Sequence, residues 1–177
     1  MKSGKIKLSP SALNLFNDCP RCFWLDKVKG IKRPRGIFPS LPSGMDRVIK
    51  GYFDAYRKDD ALPPEFSSDS FSTMKPYSNQ QQLDLWREWK TGPQYKDEEG
   101  NILFGAIDDL MVNDGAYIPF DYKTKGTPTT VEAAKKYYSN QLNCYSLMLE
   151  AMGLPQAGYG YLLYYSPKNV REKGWVL

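Results

Sequence analysis

The order of the predicted elements indicates an α/β protein with a mixed β-sheet. Short helices come first, a strand pair with a tight turn follows at 101–126, and a long helix and an aromatic-rich strand complete the pattern. No internal repeat interrupts the 177 residues, so we expect one domain over 1–177. Within it we expect a helical N-terminal segment at 1–60 and a functional core at 95–167.

Caps and apolar spacing mark the helical segments. Ser9 and Pro10 fit the N-cap and first residue of a short helix, and Pro20 begins a second one. Residues 30–44 are interpreted as a loop because proline and glycine recur there. A third helix is predicted from Ser43. Its apolar face is formed by Val48, Ile49, Tyr52, Phe53 and Tyr56.

The second half of the chain alternates between helices and strands. Residues 59–79 are polar and rich in proline, which predicts an irregular connection, and a short helix or a helix-to-strand transition is expected at 80–90. A long helix is predicted from about Thr129 to about Met152, where Gly153 and Pro155 end it. The aromatic run at 158–167 predicts the last strand.

Two acidic residues, Asp108 and Asp121, interrupt the apolar runs of the predicted hairpin. The Asp-Gly pair at 114–115 favours a two-residue type I′ turn. In that register Asp108 lies directly opposite Asp121, with Cβ atoms about 5 Å apart. Lys123, two residues further on, shares their face. An odd-length loop would shift this register, so the convergence of the three groups depends on the turn.

Opposed carboxylates in a covered sheet predict a metal ion. Like charges directly opposite each other are unfavourable, and a divalent cation reverses the sign because Mg²⁺ and Mn²⁺ prefer oxygen ligands. Lys123 cannot bind a cation while protonated, so we expect it to orient a water or stabilise developing charge. A surface hairpin whose acids face solvent is the alternative. The residues that favour a covered sheet are Ile107, Leu110, Ile118 and Phe120.

Charge and cysteine content narrow the possible partners and cofactors. Residues 1–36 hold nine Lys or Arg and two Asp, which suggests an anionic partner, most commonly nucleic acid. Lysines that only keep the surface soluble are the alternative. Three cysteines without histidine cannot complete a four-ligand zinc site in this chain and fit a reducing compartment. With no long apolar run and no signal-peptide pattern, we expect a cytoplasmic protein without membrane contact.

Four motifs occur together in an order that resembles one nuclease family. They are an opening segment SPSALNLFNDCPRCFWLDKV, GAID at 105–108, DYK at 121–123 and QLNCY at 141–145. This set resembles the RecB-type branch of the PD-(D/E)XK nuclease superfamily, with its GxxD strand, D-x-K strand and QxxxY helix. The resemblance implies a restriction-endonuclease-like core, in which a central mixed sheet is flanked by helices and 95–167 is catalytic.

The resemblance also implies roles for individual residues. Asp108 and Asp121 would bind Mg²⁺ or Mn²⁺ together with the backbone carbonyl of Tyr122, and Lys123 would be the catalytic lysine. A further set, drawn from the basic N-terminal segment, is expected to hold the nucleic-acid backbone and to stack on bases. These residues are Lys27, Lys29, Lys32, Arg33, Arg35 and Trp24.

Gln141 and Tyr145 are implied to orient the substrate strand. They are four residues apart, so they share one face of a helix and can point into the site together. Core packing is the alternative for Tyr145, because this helix is apolar nearly all round.

The chain departs from the family in two features that concern metals. Many RecB-type nucleases carry a metal-binding histidine on the helix before the sheet, and this chain has no histidine. On the corresponding helix Asp46, Lys50 and Asp54 are spaced for one face. Asp46 is a candidate substitute ligand, and a solvated face is the alternative. Cys19 matches the first cysteine of relatives with an iron–sulfur cluster, but their C-terminal cysteine group is missing, so we predict no cluster.

The predicted function is metal-dependent hydrolysis of phosphodiester bonds in nucleic acid, with DNA favoured over RNA. The resemblance implies an exonuclease acting on single-stranded or end-containing DNA, in DNA repair, with a helicase or recombination partner. A catalytically inactive nuclease fold that binds nucleic acid is one alternative, motivated by the missing histidine. A protein-interaction adaptor with an acid-lined structural site is another.

Overall fold

A computed structural model of the chain describes residues 5–34, 36 and 40–168. The helices are α1 (Pro10–Asp18), α2 (Pro20–Lys27), α3 (Ser40–Lys58), α4 (Gln80–Trp86) and α5 (Val131–Ala151). The strands are β1 (Lys7–Leu8), β2 (Met74–Pro76), β3 (Gln94–Lys96), β4 (Ile102–Phe104), β5 (Asp109–Asn113), β6 (Ala116–Thr124) and β7 (Tyr161–Tyr165). Every helix in this part of the chain is too short or too polar to span a bilayer.

The strands form two mixed sheets flanked by helices, which confirms the predicted α/β, restriction-endonuclease-like class. The larger sheet has the order β2-β5-β6-β7, and only its β6–β7 pair is parallel. The smaller sheet has the order β1-β4-β3, with β1 parallel to β4. The sequence analysis predicted one central sheet, so the smaller sheet is a correction.

The hairpin of β5 and β6 has the predicted register, with Asn113 opposite Ala116. Asp114 and Gly115 both have positive φ, 49° and 79°, as a type I′ turn requires. The predicted first strand is wrong in its extent, because 102–104 belongs to the smaller sheet and Asp108 lies in a bend before β5. The chain changes sheets at Gly105, where a Cβ would lie 3.0 Å from the Met148 side chain.

Helix α3 begins at Ser40, inside the predicted loop, because proline is tolerated in the first turn of a helix. Its buried residues recur every four positions as Ile49, Phe53 and Arg57. Val48 was predicted to face the core, but 65% of its surface is exposed. The buried stripe is therefore narrower than the apolar pattern indicated and includes a charged residue.

The hairpin lies between two layers of buried side chains. On one face Ile118, Phe120 and Tyr122 pack with Ile49 and Phe53 of α3. The other face is covered by α4 and α5, whose buried apolar residues pack with Leu110. Because successive residues of a strand point to opposite faces, Asp121 and Lys123 face α5. The sheet thus presents an acid and a base to the long helix.

Candidate active site

Asp121 is the centre of the candidate site, and only 1% of its surface is exposed. The Gln141 amide donates a 2.9 Å hydrogen bond from Nε2 to Asp121 Oδ1. The Lys123 ammonium contacts Asp121 Oδ2, yet this oxygen accepts no hydrogen bond of ordinary geometry from the described residues. A carboxylate oxygen has more than one lone pair, so this oxygen keeps acceptor capacity for a cation beside the ammonium.

Helix α5 presents one face to the carboxyl end of β6. Gln141 Nε2 also donates a 2.6 Å hydrogen bond to the Tyr145 hydroxyl, so that hydroxyl keeps its own proton for another acceptor. One turn earlier, the Tyr138 ring lies 4.9 Å from the Lys123 ammonium. Tyr164 packs edge-on against Tyr138, with ring centroids 6.3 Å apart. This face therefore orients both the carboxylate and the lysine of β6.

Asp108 is held by side chains from two helical elements. Its Oδ1 lies 2.8 Å from the Lys50 ammonium of α3, which is also 2.9 Å from Asp46 Oδ2. The backbone carbonyl of Asp108 accepts a 2.9 Å hydrogen bond from Arg87 Nε, just after α4. A cavity of about 240 Å³ opens here, and Asp46, Asp108 and Lys123 are among its lining residues. The carboxylates, the lysines and open space therefore meet at one end of the hairpin.

The electrostatics of the site are those of two crowded carboxylates. Burial raises the pKa of Asp121 to about 7, and the charge of Asp108 adds to the rise while Lys123 opposes it. Burial lowers the pKa of Lys50, but Asp108 and Asp46 outweigh it, so the pKa of Lys50 lies above its ordinary value. A cation placed between the carboxylates would reverse their mutual repulsion.

The donor set fits a hard divalent cation. The hairpin supplies two carboxylates, and the carbonyl of Tyr122 is the next oxygen along β6, which matches the preference of Mg²⁺ and Mn²⁺. In the part of the chain that the structure describes, no three acidic or cysteine residues are placed to share an ion. Water would complete the shell, as is usual for Mg²⁺. Asp46 pairs with Lys50 and forms no such group with Asp108 and Asp121.

A buried ionic cluster lies on the α3 face of the hairpin, and the sequence analysis did not predict it. Arg57 donates a 2.5 Å hydrogen bond to Asp109 and another of 2.8 Å to the carbonyl of Tyr77. Asp109 also accepts a hydrogen bond from the Tyr122 hydroxyl. Burial raises the pKa of Asp109, and Arg57 opposes that rise. The cluster fixes both strands immediately beside the candidate metal ligands.

Arg87 connects this cluster with the site. It pairs with Asp54 at 2.7 and 2.8 Å while its Nε holds the backbone of Asp108. Asp54, which the spacing placed on one face with Asp46, therefore anchors a structural arginine. A signal for part of the cluster was present in the sequence, because Arg57 continues the four-residue spacing of the buried face of α3.

The predicted nucleic-acid contacts lie outside the hairpin site. Lys27 pairs with Asp26 at 3.3 Å, and the Lys29 ammonium lies 5.0 Å from the exposed Trp24 ring. Lys32 and Arg33 are exposed, and Arg35 lies outside the described residues. None of the described cations of this group forms a salt bridge with Asp108 or Asp121. Asn140 of α5 donates a 2.7 Å hydrogen bond to Asn14 of α1, which joins the N-terminal segment to the helix that contacts Asp121.

A family model described as the PD-(D/E)XK nuclease superfamily matches residues 7–175. The matched region contains the hairpin, both candidate metal ligands, Lys123 and the α5 face that contacts them. No curated protein shows a significant match to the chain.

Proposed function

The chain belongs to the PD-(D/E)XK nuclease superfamily, and on that premise we propose that it hydrolyses phosphodiester bonds of nucleic acid with a divalent cation. The observation that carries the proposal is the buried Asp121, which has one oxygen held by Gln141 and the other in contact with the Lys123 ammonium. A carboxylate in this state is suited to bind Mg²⁺ or Mn²⁺. When bound, the cation polarises the scissile phosphate and lowers the pKa of a bound water.

The side chains around the ion have separate roles in this proposal. Asp108 and Asp121 hold the cation, with the carbonyl of Tyr122 as a further ligand. Lys123 stabilises the negative charge that develops on the phosphate or orients the attacking water, since its ammonium lies beside the ligands. Gln141 fixes the orientation of Asp121. Tyr145, whose proton is free, orients the substrate strand.

We infer further that the chain is of the RecB type and acts on DNA with single strands or free ends. The contact of Gln141 with both Asp121 and Tyr145 supports the RecB type, because it joins the QxxxY helix to the D-x-K strand. The exposed cations of the N-terminal segment support a nucleic-acid substrate, since counterion release favours binding to phosphates. Trp24 is half exposed and offers a stacking surface for unpaired bases.

An inactive nuclease fold that only binds nucleic acid is the second candidate. The observation that favours it is the ion pairing at the site, where Lys50 contacts Asp108 and Lys123 contacts Asp121. Both carboxylates are thus compensated without a metal. On this alternative, substitution of Asp121 leaves nucleic-acid binding unchanged and removes no activity.

The test is cleavage of end-labelled single- and double-stranded oligonucleotides in Mg²⁺, Mn²⁺ or EDTA. We compare the native chain with Asp121→Asn, which preserves shape and the acceptor for Gln141. Asp60→Asn is the matched control, because Asp60 is exposed and pairs with the exposed Lys75. We expect cleavage that requires metal and falls at least about a hundredfold in Asp121→Asn alone. Cleavage that persists in EDTA, or none in either metal, would overturn the proposal, and the product ladder would give the polarity.

A further inference from the structure

Lys50 holds a position at the site that its pairing with Asp46 alone does not explain. Its ammonium lies 2.8 Å from Asp108 Oδ1 and 2.9 Å from Asp46 Oδ2, so one cation bridges a hairpin acid and a helix acid. Only 20% of the Lys50 side chain is exposed. Its neighbour Ile49 is buried in the core and anchors this turn of α3. Lys50 is therefore a fixed charge of the site.

The charges around the hairpin end decide how many metal ions the site can bind. When all three carboxyl groups (Asp46, Asp108 and Asp121) are ionised, they face two ammonium groups (Lys50 and Lys123), which leaves one net negative charge. One divalent ion changes this balance to a single positive charge. A second ion would leave three positive charges within a few ångströms, and each would repel the others strongly in a partly buried site.

We propose that the Lys50 ammonium acts as a built-in second cation, so that the two hairpin carboxylates bind one divalent ion and not two. The inference rests on the proposed function, because it concerns the same metal site. Lys50 compensates Asp108 through its contact with Oδ1, and Asp108 and Asp121 together would hold the single ion. The cavity of about 240 Å³ beside Asp108 then remains open for a substrate phosphate, which a lone ion and two ammonium groups attract.

The test is a titration of the folded chain with Mn²⁺ in the absence of nucleic acid, in which electron paramagnetic resonance measures the free ion. We compare the native chain with Lys50→Met, Lys50→Gln and Lys50→Arg. Lys75→Met is the matched control, because it removes the same charge from an exposed pair with Asp60. Circular dichroism melts establish that each variant is folded, and the glutamine variant replaces the methionine variant if the latter unfolds.

We expect the native chain, Lys50→Arg and Lys75→Met to bind one ion with similar affinity. Lys50→Met or Lys50→Gln should bind the first ion at least about tenfold more tightly and acquire a second. The inference would be overturned by two ions of similar affinity in the native chain, by native affinity in both Lys50→Met and Lys50→Gln, or by no binding in any variant. One-ion binding with the expected Lys50 effect but no cleavage would overturn the proposed nuclease function and leave this inference standing. Cleavage by a native chain that binds two ions would overturn this inference and leave the proposed nuclease function standing.

Discussion

Replacement of Arg57 by methionine removes the guanidinium that faces Asp109 in the core. The two side chains are 3% and 2% exposed, so water does not take the place of the lost partner. Loss of one member of a buried pair costs about 3–5 kcal/mol, because the remaining charge is left without compensation. Arg87 lies 3.5 Å from the other oxygen of Asp109 and supplies part of the missing charge. We therefore expect a loss of about 3 kcal/mol, at the lower end of the range.

Urea unfolding followed by tryptophan fluorescence measures this loss, which corresponds to a decrease in Tm of about 6–12 °C for a chain of this size. Lys75→Met is the control, since the Lys75–Asp60 pair is exposed and should contribute less than about 1 kcal/mol. Addition of Asp109→Asn to Arg57→Met should recover part of the loss, because no buried charge is then left unpaired. A loss below about 1 kcal/mol for Arg57→Met would refute the reasoning, since the pair would then be no better than a surface contact.

Substitutions at three further positions test the packing and the position of the lysine. Gly92→Ala should lower the free energy of unfolding by more than about 1 kcal/mol, because the new Cβ would lie 1.9 Å from the carbonyl oxygen of Gly105; a thermal melt unchanged from native would contradict this. Gly51→Ala, on an exposed turn of α3 with nothing within 4 Å, should raise stability by about 0.5–1 kcal/mol in the same melts. Tyr138→Leu should lower single-turnover cleavage by roughly twofold to thirtyfold, because Lys123 loses the ring face, and Tyr138→Phe should retain the rate. Equal rates for the two Tyr138 variants would show that the ring does not position the lysine.

The features predicted from the sequence are those with a local chemical signal. The Asp-Gly turn specified the register of β5 and β6, because a two-residue loop allows only one pairing of the flanking strands. The four-residue spacing of Gln141 and Tyr145 specified that they share a face of α5. In the structure Gln141 contacts Asp121 directly, and Tyr145 is linked to Asp121 through Gln141. These inferences needed no information from distant parts of the chain.

The features that were missed depend on contacts between distant segments. β1 pairs with β4 across 95 positions, and strands of two or three residues are too short to show alternation. The beginning of α3 at Ser40 was missed because proline and glycine indicate a loop, although proline is tolerated in the first turn of a helix. Arg57 was missed because a charged residue is almost never fully buried without a partner, and its partner is 52 positions away.

The distance in sequence between Arg57 and Asp109 also determines when α3 can pack into the core during synthesis of the chain. Helix α3 leaves the ribosome before Asp109 has been made, since Asp109 follows Arg57 by 52 residues. Until then, docking of α3 would bury a guanidinium without its carboxylate, which is strongly unfavourable. Translation proceeds at roughly 5–20 residues per second, so α3 waits for several seconds with Ile49 and Phe53 unburied. The nascent chain therefore carries a helix with an exposed apolar stripe, which is available to chaperones until the hairpin emerges.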